Sequence, residues 1–136
     1  MRIALDIDDT ITAIPEFFAA LSACIEKSGG RVIIVSSRTD NQEVRIHTVK
    51  ELAEYGIVYS ELYLLPDSEA AKTLYDVQDL NWYQKYLYGK VEICKNEKIN
   101  VVYDDDPQVV RLFQRHAPEI QVFQVIKPEG NRWELI

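Results

Sequence analysis

The chain is poor in cysteine, histidine and glycine, and short of positive charge. Its two cysteines, Cys24 and Cys94, have no ligand-like spacing. That excludes a disulfide framework and a structural zinc site, and makes a reducing cytoplasm the expected compartment. Glycine occurs five times, and Gly29-Gly30 lacks the surrounding pattern of a phosphate-binding loop. Fifteen basic residues face 22 acidic ones, a net charge of −7. A nucleic-acid polymer is therefore not an expected partner, since backbone binding needs a basic face. Apolar runs such as Val32-Ile33-Ile34-Val35 fall far short of the ~18 residues of a membrane span. The start, Met1-Arg2-Ile3-Ala4-Leu5-Asp6, meets an acid too early for a secretory signal. Neither membrane nor export is expected.

What is present is a globular composition, 47% hydrophobic and 27% charged. A length of 136 residues predicts a single domain over 1–136. Strands are predicted at Arg2–Leu5, Arg31–Val35, Tyr59–Leu65, Asn100–Tyr103 and Ile120–Ile126. Helices are predicted from Pro15 to Ser28, Asn41 to Tyr55, Leu80 to Glu97 with a break near Gly89, and Gln108 to His116. Pro66 to Asp79 reads as irregular or weakly helical, and Lys127 to Ile136 as a tail. Strand–helix alternation predicts an α/β sandwich with a mainly parallel sheet. The binding edge of such a sheet lies at the carboxyl ends of its strands.

The polar clusters follow predicted strands, and this places them on that edge. Asp6 and Asp8 close the first strand, with Thr10 beyond. Two carboxylates this close repel unless a cation joins them, and a solvated turn is the bland alternative. Asp104-Asp105-Asp106 closes a later apolar strand. A helix cap accounts for Asp106 just before Pro107, but not for Asp104 and Asp105 nearer the strand end. Two acidic strand ends converging on one edge make an oxygen site for a hard cation such as Mg²⁺. Ser36 ends a buried strand and can donate to a phosphoryl oxygen. Lys90, fourteen residues before Asp104, can balance the carboxylates and stabilise charge on a phosphoryl group. Arg38, after Ser37, suits a leaving group or a second phosphate, or else a surface ion pair. The aromatic residues Tyr75, Trp82, Tyr83, Tyr86 and Tyr88 are a candidate cover for the site, with Trp82 and Tyr86 on one helical face.

In order and spacing these clusters resemble the haloacid dehalogenase superfamily of phosphohydrolases. Its first motif stands as Ile3-Ala4-Leu5-Asp6-Ile7-Asp8-Asp9-Thr10 and its second as Val32-Ile33-Ile34-Val35-Ser36, continued by Ser37-Arg38. The third matches Lys90, and the fourth stands as Val101-Val102-Tyr103-Asp104-Asp105. The resemblance covers residues 2–110. It implies a Rossmann-like three-layer sandwich with the first strand central. It also implies Asp6 as nucleophile through an aspartyl-phosphate, and Asp8 as general acid and base. Mg²⁺ would be held by Asp6, the Asp8 main-chain carbonyl and Asp105, with Asp104 as a further ligand or a partner of Lys90. Thr10, Ser36, Ser37, Arg38 and Lys90 would meet the substrate. Neither interval between the motifs has room for a cap domain, so the site is expected to be open. Some short sequences of this type resemble the core of 5′(3′)-deoxyribonucleotidases, whose usual helical cap is missing here.

The implied activity is Mg²⁺-dependent phosphomonoester hydrolysis, on a nucleotide, another phosphorylated small molecule or a phosphoprotein. A homodimer covering the open site is a further expectation. Two alternatives stay open. One is a non-catalytic or phosphoprotein-binding module of the same fold. The other is a receiver-like phosphoacceptor domain, which would need its acceptor Asp on a later strand and a lysine after the last one.

Overall fold

The computed structural model describes residues 1–67, 70, 77 and 79–129. Five strands form one sheet: β1 (Arg2–Leu5), β2 (Arg31–Thr39), β3 (Glu61–Leu65), β4 (Val101–Asp104) and β5 (Gln121–Gln124). Among the described residues the connecting helices are α1 (Pro15–Lys27), α2 (Gln42–Glu54), α3 (Trp82–Asn96) and α4 (Pro107–His116). A 3₁₀ turn, Ile11–Ala13, precedes α1. Every strand pair is parallel, and the order is β3-β2-β1-β4-β5. The expected parallel α/β sandwich with a central first strand is therefore what forms.

Alternation along the strands builds two cores. Ile3, Leu5, Val32 and Ile34 face one way and pack with Phe18 of α1 and Leu52 of α2. Ala4, Ile33, Val35 and Val102 face the other way and pack with Leu87 and Val91 of α3 and Phe113 of α4. Strands covered on both faces read as continuous apolar runs, which is why β2 was legible as Val32-Ile33-Ile34-Val35. Among the described residues no helix is long and apolar enough to cross a membrane.

Several expectations need correcting. Strand β2 does not stop at Val35. It runs on through Ser36-Ser37-Arg38 to Thr39, with a register shift against β3 between Ser36 and Thr39. Such an irregularity re-aims side chains beside a site. Spacing predicts Val44, Val49, Leu52 and Ala53 on the inward face of α2, but Thr48 and Leu52 are the buried residues and Val49 and Ala53 face solvent. Thr48 earns its buried place because its hydroxyl accepts a hydrogen bond from the Arg38 guanidinium at 3.0 Å. Spacing predicts Phe17 on one apolar face with Phe18, Leu21 and Ile25, but Phe17 points out and meets Phe18 edge-on at 5.0 Å. Both cysteines are expected as buried thiols, but Cys24 is exposed and only Cys94 is buried. Helix α3 passes through Gly89 without a break. Most of Pro66–Asp79, Tyr75 included, and the tail from residue 130 lie outside the described residues.

Helix α3 carries Lys90, and its start is fixed locally. The Asn81 side chain accepts from the Gln84 amide while the Gln84 side chain accepts from the Asn81 amide. This reciprocal cap satisfies two otherwise orphaned donors. Asn81→Ala is expected to destabilise the protein by about 1 kcal/mol, read as a lower denaturant midpoint at unchanged slope. An unchanged midpoint would show that α3 is held by packing alone.

Candidate active site

The switch point of this sheet lies between β1 and β4. The chain leaves β1 for β2 and β3 on one side, then returns to place β4 on the other. In parallel sheets ligands bind at the carboxyl ends beside such a point. Asp6 follows β1 directly, and its amide donates to the Tyr103 carbonyl of β4 at 3.1 Å. The backbone then turns sharply: the Thr10 and Thr12 amides both reach the Ile7 carbonyl, at 3.2 and 3.1 Å. Asp9 adopts a positive φ of 58° inside this turn. Short polar side chains tolerate that conformation far better than branched ones.

The turn brings the acids and the lysine together. Lys90 Nζ lies 2.9 Å from Asp6 Oδ1 and 2.7 Å from Asp104 Oδ2. The Thr10 hydroxyl donates to Asp6 Oδ2 at 2.9 Å. The Asp106 amide donates to Asp104 Oδ1 at 3.0 Å. Asp6, Asp104 and Asp105 are all buried, with carboxylate oxygens within 4.8 Å of one another. Burial pushes Asp104 up to about 7, with the Asp6 charge adding to it and Lys90 opposing it. Burial, then Asp6 and Asp104, push Asp105 up to about 8. Burial alone would lower Lys90, but Asp104 and Asp6 hold it above the ordinary lysine range. Were all three carboxyls ionised, the single ammonium would leave two negative charges in this buried site. That is costly in the absence of a cation. The donors are all oxygens, the set a hard divalent cation takes.

The cavity above these residues is small, about 80 Å³, and its lining includes Asp6, Asp8, Ser37, Tyr83, Lys90 and Asp105. Three residues expected to meet substrate do not line it. Thr10 is fully buried behind Asp6 and committed to it. Ser36 is also fully buried, and its Oγ accepts the Arg38 amide at 3.1 Å. The extension of β2 puts Ser37 on the wall instead. Arg38 grips Asp8 with two bonds, Nε to Oδ2 at 3.0 Å and an Nη to Oδ1 at 2.9 Å. Glu51 lies 3.0 Å away on its other side. Hydrogen bonding to Asp8 holds the guanidinium above its usual range.

The sequence offered Tyr83 and Tyr86 as a cover for the site, without their partners, and did not single out Lys127. The Tyr83 hydroxyl meets Asp106 Oδ2 at 3.3 Å, and Tyr86 donates a short hydrogen bond to the Ser37 carbonyl. Tyr83, Tyr86 and Lys90 recur at helical spacing, a signal that was there to find. Trp82, the residue paired with Tyr86 by spacing, is 61% exposed instead. Lys127, beyond β5, reaches Asp9 Oδ1 at 3.0 Å, and no periodicity could have linked them. Asp106 caps α4 by accepting the Gln108 amide at 2.9 Å, as its place before Pro107 implied.

No family profile and no curated protein matches the chain. Among solved structures it is similar to a chain in a structure of the Pnkp1/Rnl/Hen1 RNA repair complex. That likeness has a TM-score of 0.63 and 22% identity, over 93% of this chain and 42% of the other. A second structure of the Pnkp1/Rnl/Hen1 complex gives 0.61 and 21%, over 96% and 47%. This chain thus spans less than half the length of the chains it matches, and the likeness is one of fold.

Proposed function

We propose that the protein is a Mg²⁺-dependent phosphomonoester hydrolase of the haloacid dehalogenase type. The observation that carries the reading is the Lys90 ammonium set between Asp6 and Asp104, with Asp105 beside them. Asp6, Asp104 and Asp105 fit a divalent cation by donor type, charge and proximity. Bound there, Mg²⁺ would supply positive charge to phosphoryl oxygens.

The chain's own residues supply the rest. Lys90 and Thr10 each give Asp6 one hydrogen bond, on different oxygens. The carboxylate plane is thereby fixed, and each oxygen keeps a lone pair. One oxygen attacks phosphorus as the ester P–O bond breaks, giving an aspartyl-phosphate. Asp8 protonates the departing oxygen, then takes a proton from the water that releases phosphate. In the resting arrangement both Asp8 oxygens are held by Arg38, so proton delivery requires that clasp to open. Lys90 balances charge on the transferring group. The strand order supports this reading over a receiver-like domain, because the flavodoxin-like order of receivers is 2-1-3-4-5.

The test is phosphate release from deoxynucleotides, sugar phosphates and a generic aryl phosphate, with Mg²⁺ or with chelator. Turnover that appears with Mg²⁺ and ceases on chelation is expected. No release from any ester, with Mg²⁺ still bound, would overturn the reading and favour a non-catalytic phosphoprotein-binding role.

A further inference from the structure

Arg38 sits between two carboxylates and turns a different edge of its guanidinium to each. The side edge, Nε and Nη2, meets Asp8 Oδ2 at 3.0 Å and Oδ1 at 2.9 Å. The end edge, Nη1 and Nη2, meets Glu51 Oε2 at 3.0 Å and Oε1 at 3.2 Å. Nη1 also donates to the Thr48 hydroxyl at 3.0 Å. The two sides are not alike. Thr48 is fully buried on α2, and the side chains of Arg38 and Glu51 are each 17% exposed. The Asp8 side chain is 50% exposed and stands in the turn after β1. Helix α2 therefore holds the guanidinium from behind, and Asp8 is the partner with room to turn.

The proposed reaction requires that turn, because Asp8 has to reach the ester oxygen. Once Asp8 turns, Nε and Nη2 lose their acceptors, while Glu51 and Thr48 keep the guanidinium in place. A half-buried cation stripped of its partner is costly. The group that arrives at that moment is the leaving group of the substrate. The vacated edge fits a carboxylate, since it holds one at two points. Arginine takes carboxylate or phosphate in this two-point fashion. Charge decides between them. A substrate carboxylate replaces that of Asp8 one for one, whereas a phosphate dianion would add a further charge beside Glu51. Arg38 also lines an open groove of about 680 Å³ with Thr39, Asn41, Val44 and His47, where Glu43 is another acid. The body of a leaving group thus has room past the guanidinium.

We propose that Arg38 is the specificity-determining residue of this site, and that the preferred substrate is the phosphate monoester of a small hydroxy acid, whose carboxylate takes the place of Asp8 on the guanidinium. The proposal rests on the phosphatase reading for the place of the phosphoryl group. Binding the right substrate and freeing the acid become one event. An ester without the carboxylate has to open the same clasp and leave the side edge of Arg38 unpaired.

The test compares matched esters with Mg²⁺: 3-phosphoglycerate with glycerol 3-phosphate, and phosphoglycolate with ethyl phosphate. For at least one pair, kcat/KM of the carboxylate-bearing ester is expected to exceed that of its partner tenfold or more. Arg38→Met should bring that ratio close to one. Arg38→Lys, a charge without the planar fork, should restore part of it. A ratio taken within one preparation does not depend on how much of the protein is folded, so a destabilised variant still gives an answer. If Arg38 only orients Asp8, both esters of a pair fall together and the ratio survives. A ratio that survives Arg38→Met, or no ratio in wild type, overturns the proposal. If wild type releases phosphate from no ester, the phosphatase reading falls, and calorimetry of the same pairs on the same protein decides for Arg38. Tenfold tighter binding of the carboxylate-bearing ester, lost in Arg38→Met, would uphold the site, and equal binding would remove it.

Discussion

Asp6→Asn is expected to abolish the proposed metal-dependent phosphate release, by a factor on the order of 10⁴ or more, the scale of removing a catalytic nucleophile. The amide matches the carboxylate in shape but has no charge and a poorly nucleophilic oxygen. It can still accept from Thr10 at the position of Oδ2. Lys90 keeps Asp104 at 2.7 Å, so the site is expected to remain assembled. Circular dichroism and a denaturant titration should therefore show a folded protein. Asp8→Asn gives a different loss. Attack by Asp6 persists on esters with good leaving groups, but the water step lacks its base. A fast initial release of aryl alcohol followed by slow turnover is the expected trace, with a steady-state deficit of about 10²–10⁴. Equal activity of Asp6→Asn and wild type would remove the nucleophile from the mechanism. A burst in Asp6→Asn would place the phosphoryl group on another residue.

Lys90→Met carries the second large effect, and its size should depend on pH. Among the described residues Lys90 is the one cation that contacts both Asp6 and Asp104, and it is buried. Removing one partner of a buried ion pair costs about 3–5 kcal/mol. In chelated protein the sign follows from the carboxyl groups. Asp104 and Asp105 stand at about 7 and 8 in the folded state, against an ordinary value of 3.8. The folded protein thus holds protons that the unfolded chain has released. The stabilisation this represents is complete below the unfolded value and is lost as pH rises through 7 to 8. Chelated wild type should accordingly weaken between pH 5.5 and 8.5. Without the lysine, Asp104 loses its counter-charge and the fall steepens. The Lys90→Met penalty is expected to be smaller at pH 5.5 than at pH 8.5, because Asp104 is protonated at the lower pH while the contact with Asp6 is lost at both. Urea titrations at the two pH values measure it, and a penalty that does not grow with pH would mean that Lys90 is held for packing. Added Mg²⁺ should recover part of the loss at pH 8.5 in wild type.

The acids and the lysine were legible because each ends a strand or lies at helical spacing, and a parallel sheet gathers strand ends on one edge. Asp6, Asp104 and Asp105 meet there, with Lys90 between the first two. What the sequence did not disclose were partners set by tertiary register. The reach of β2 beyond Val35 depends on pairing with β3, where the register slips after Ser36. Hydropathy sees only a polar stretch there, so Ser36 read as a strand end facing substrate rather than a buried hydroxyl. Hydropathy gives no reason to bury Thr48, because its partner Arg38 lies ten positions earlier on another element. The pairing of Lys127 with Asp9 joins residues 118 apart and leaves no local trace.

The central position of β1 has a consequence for the order in which this molecule becomes itself. The strand that bears Asp6 is first in the chain, yet half of its pairing belongs to β4. The contact from Lys90 to Asp6 spans 84 residues, and that from Asn100 to the Arg2 amide spans 98. Contacts this distant in sequence close slowly compared with helix or hairpin contacts. A nascent chain ending before β4 holds β1 as an edge strand, with its acids solvated and apart. The charge cluster is therefore assembled only once β4 has docked beside β1. A partly folded chain would carry the motif without the site, which makes metal affinity a readout of completed topology.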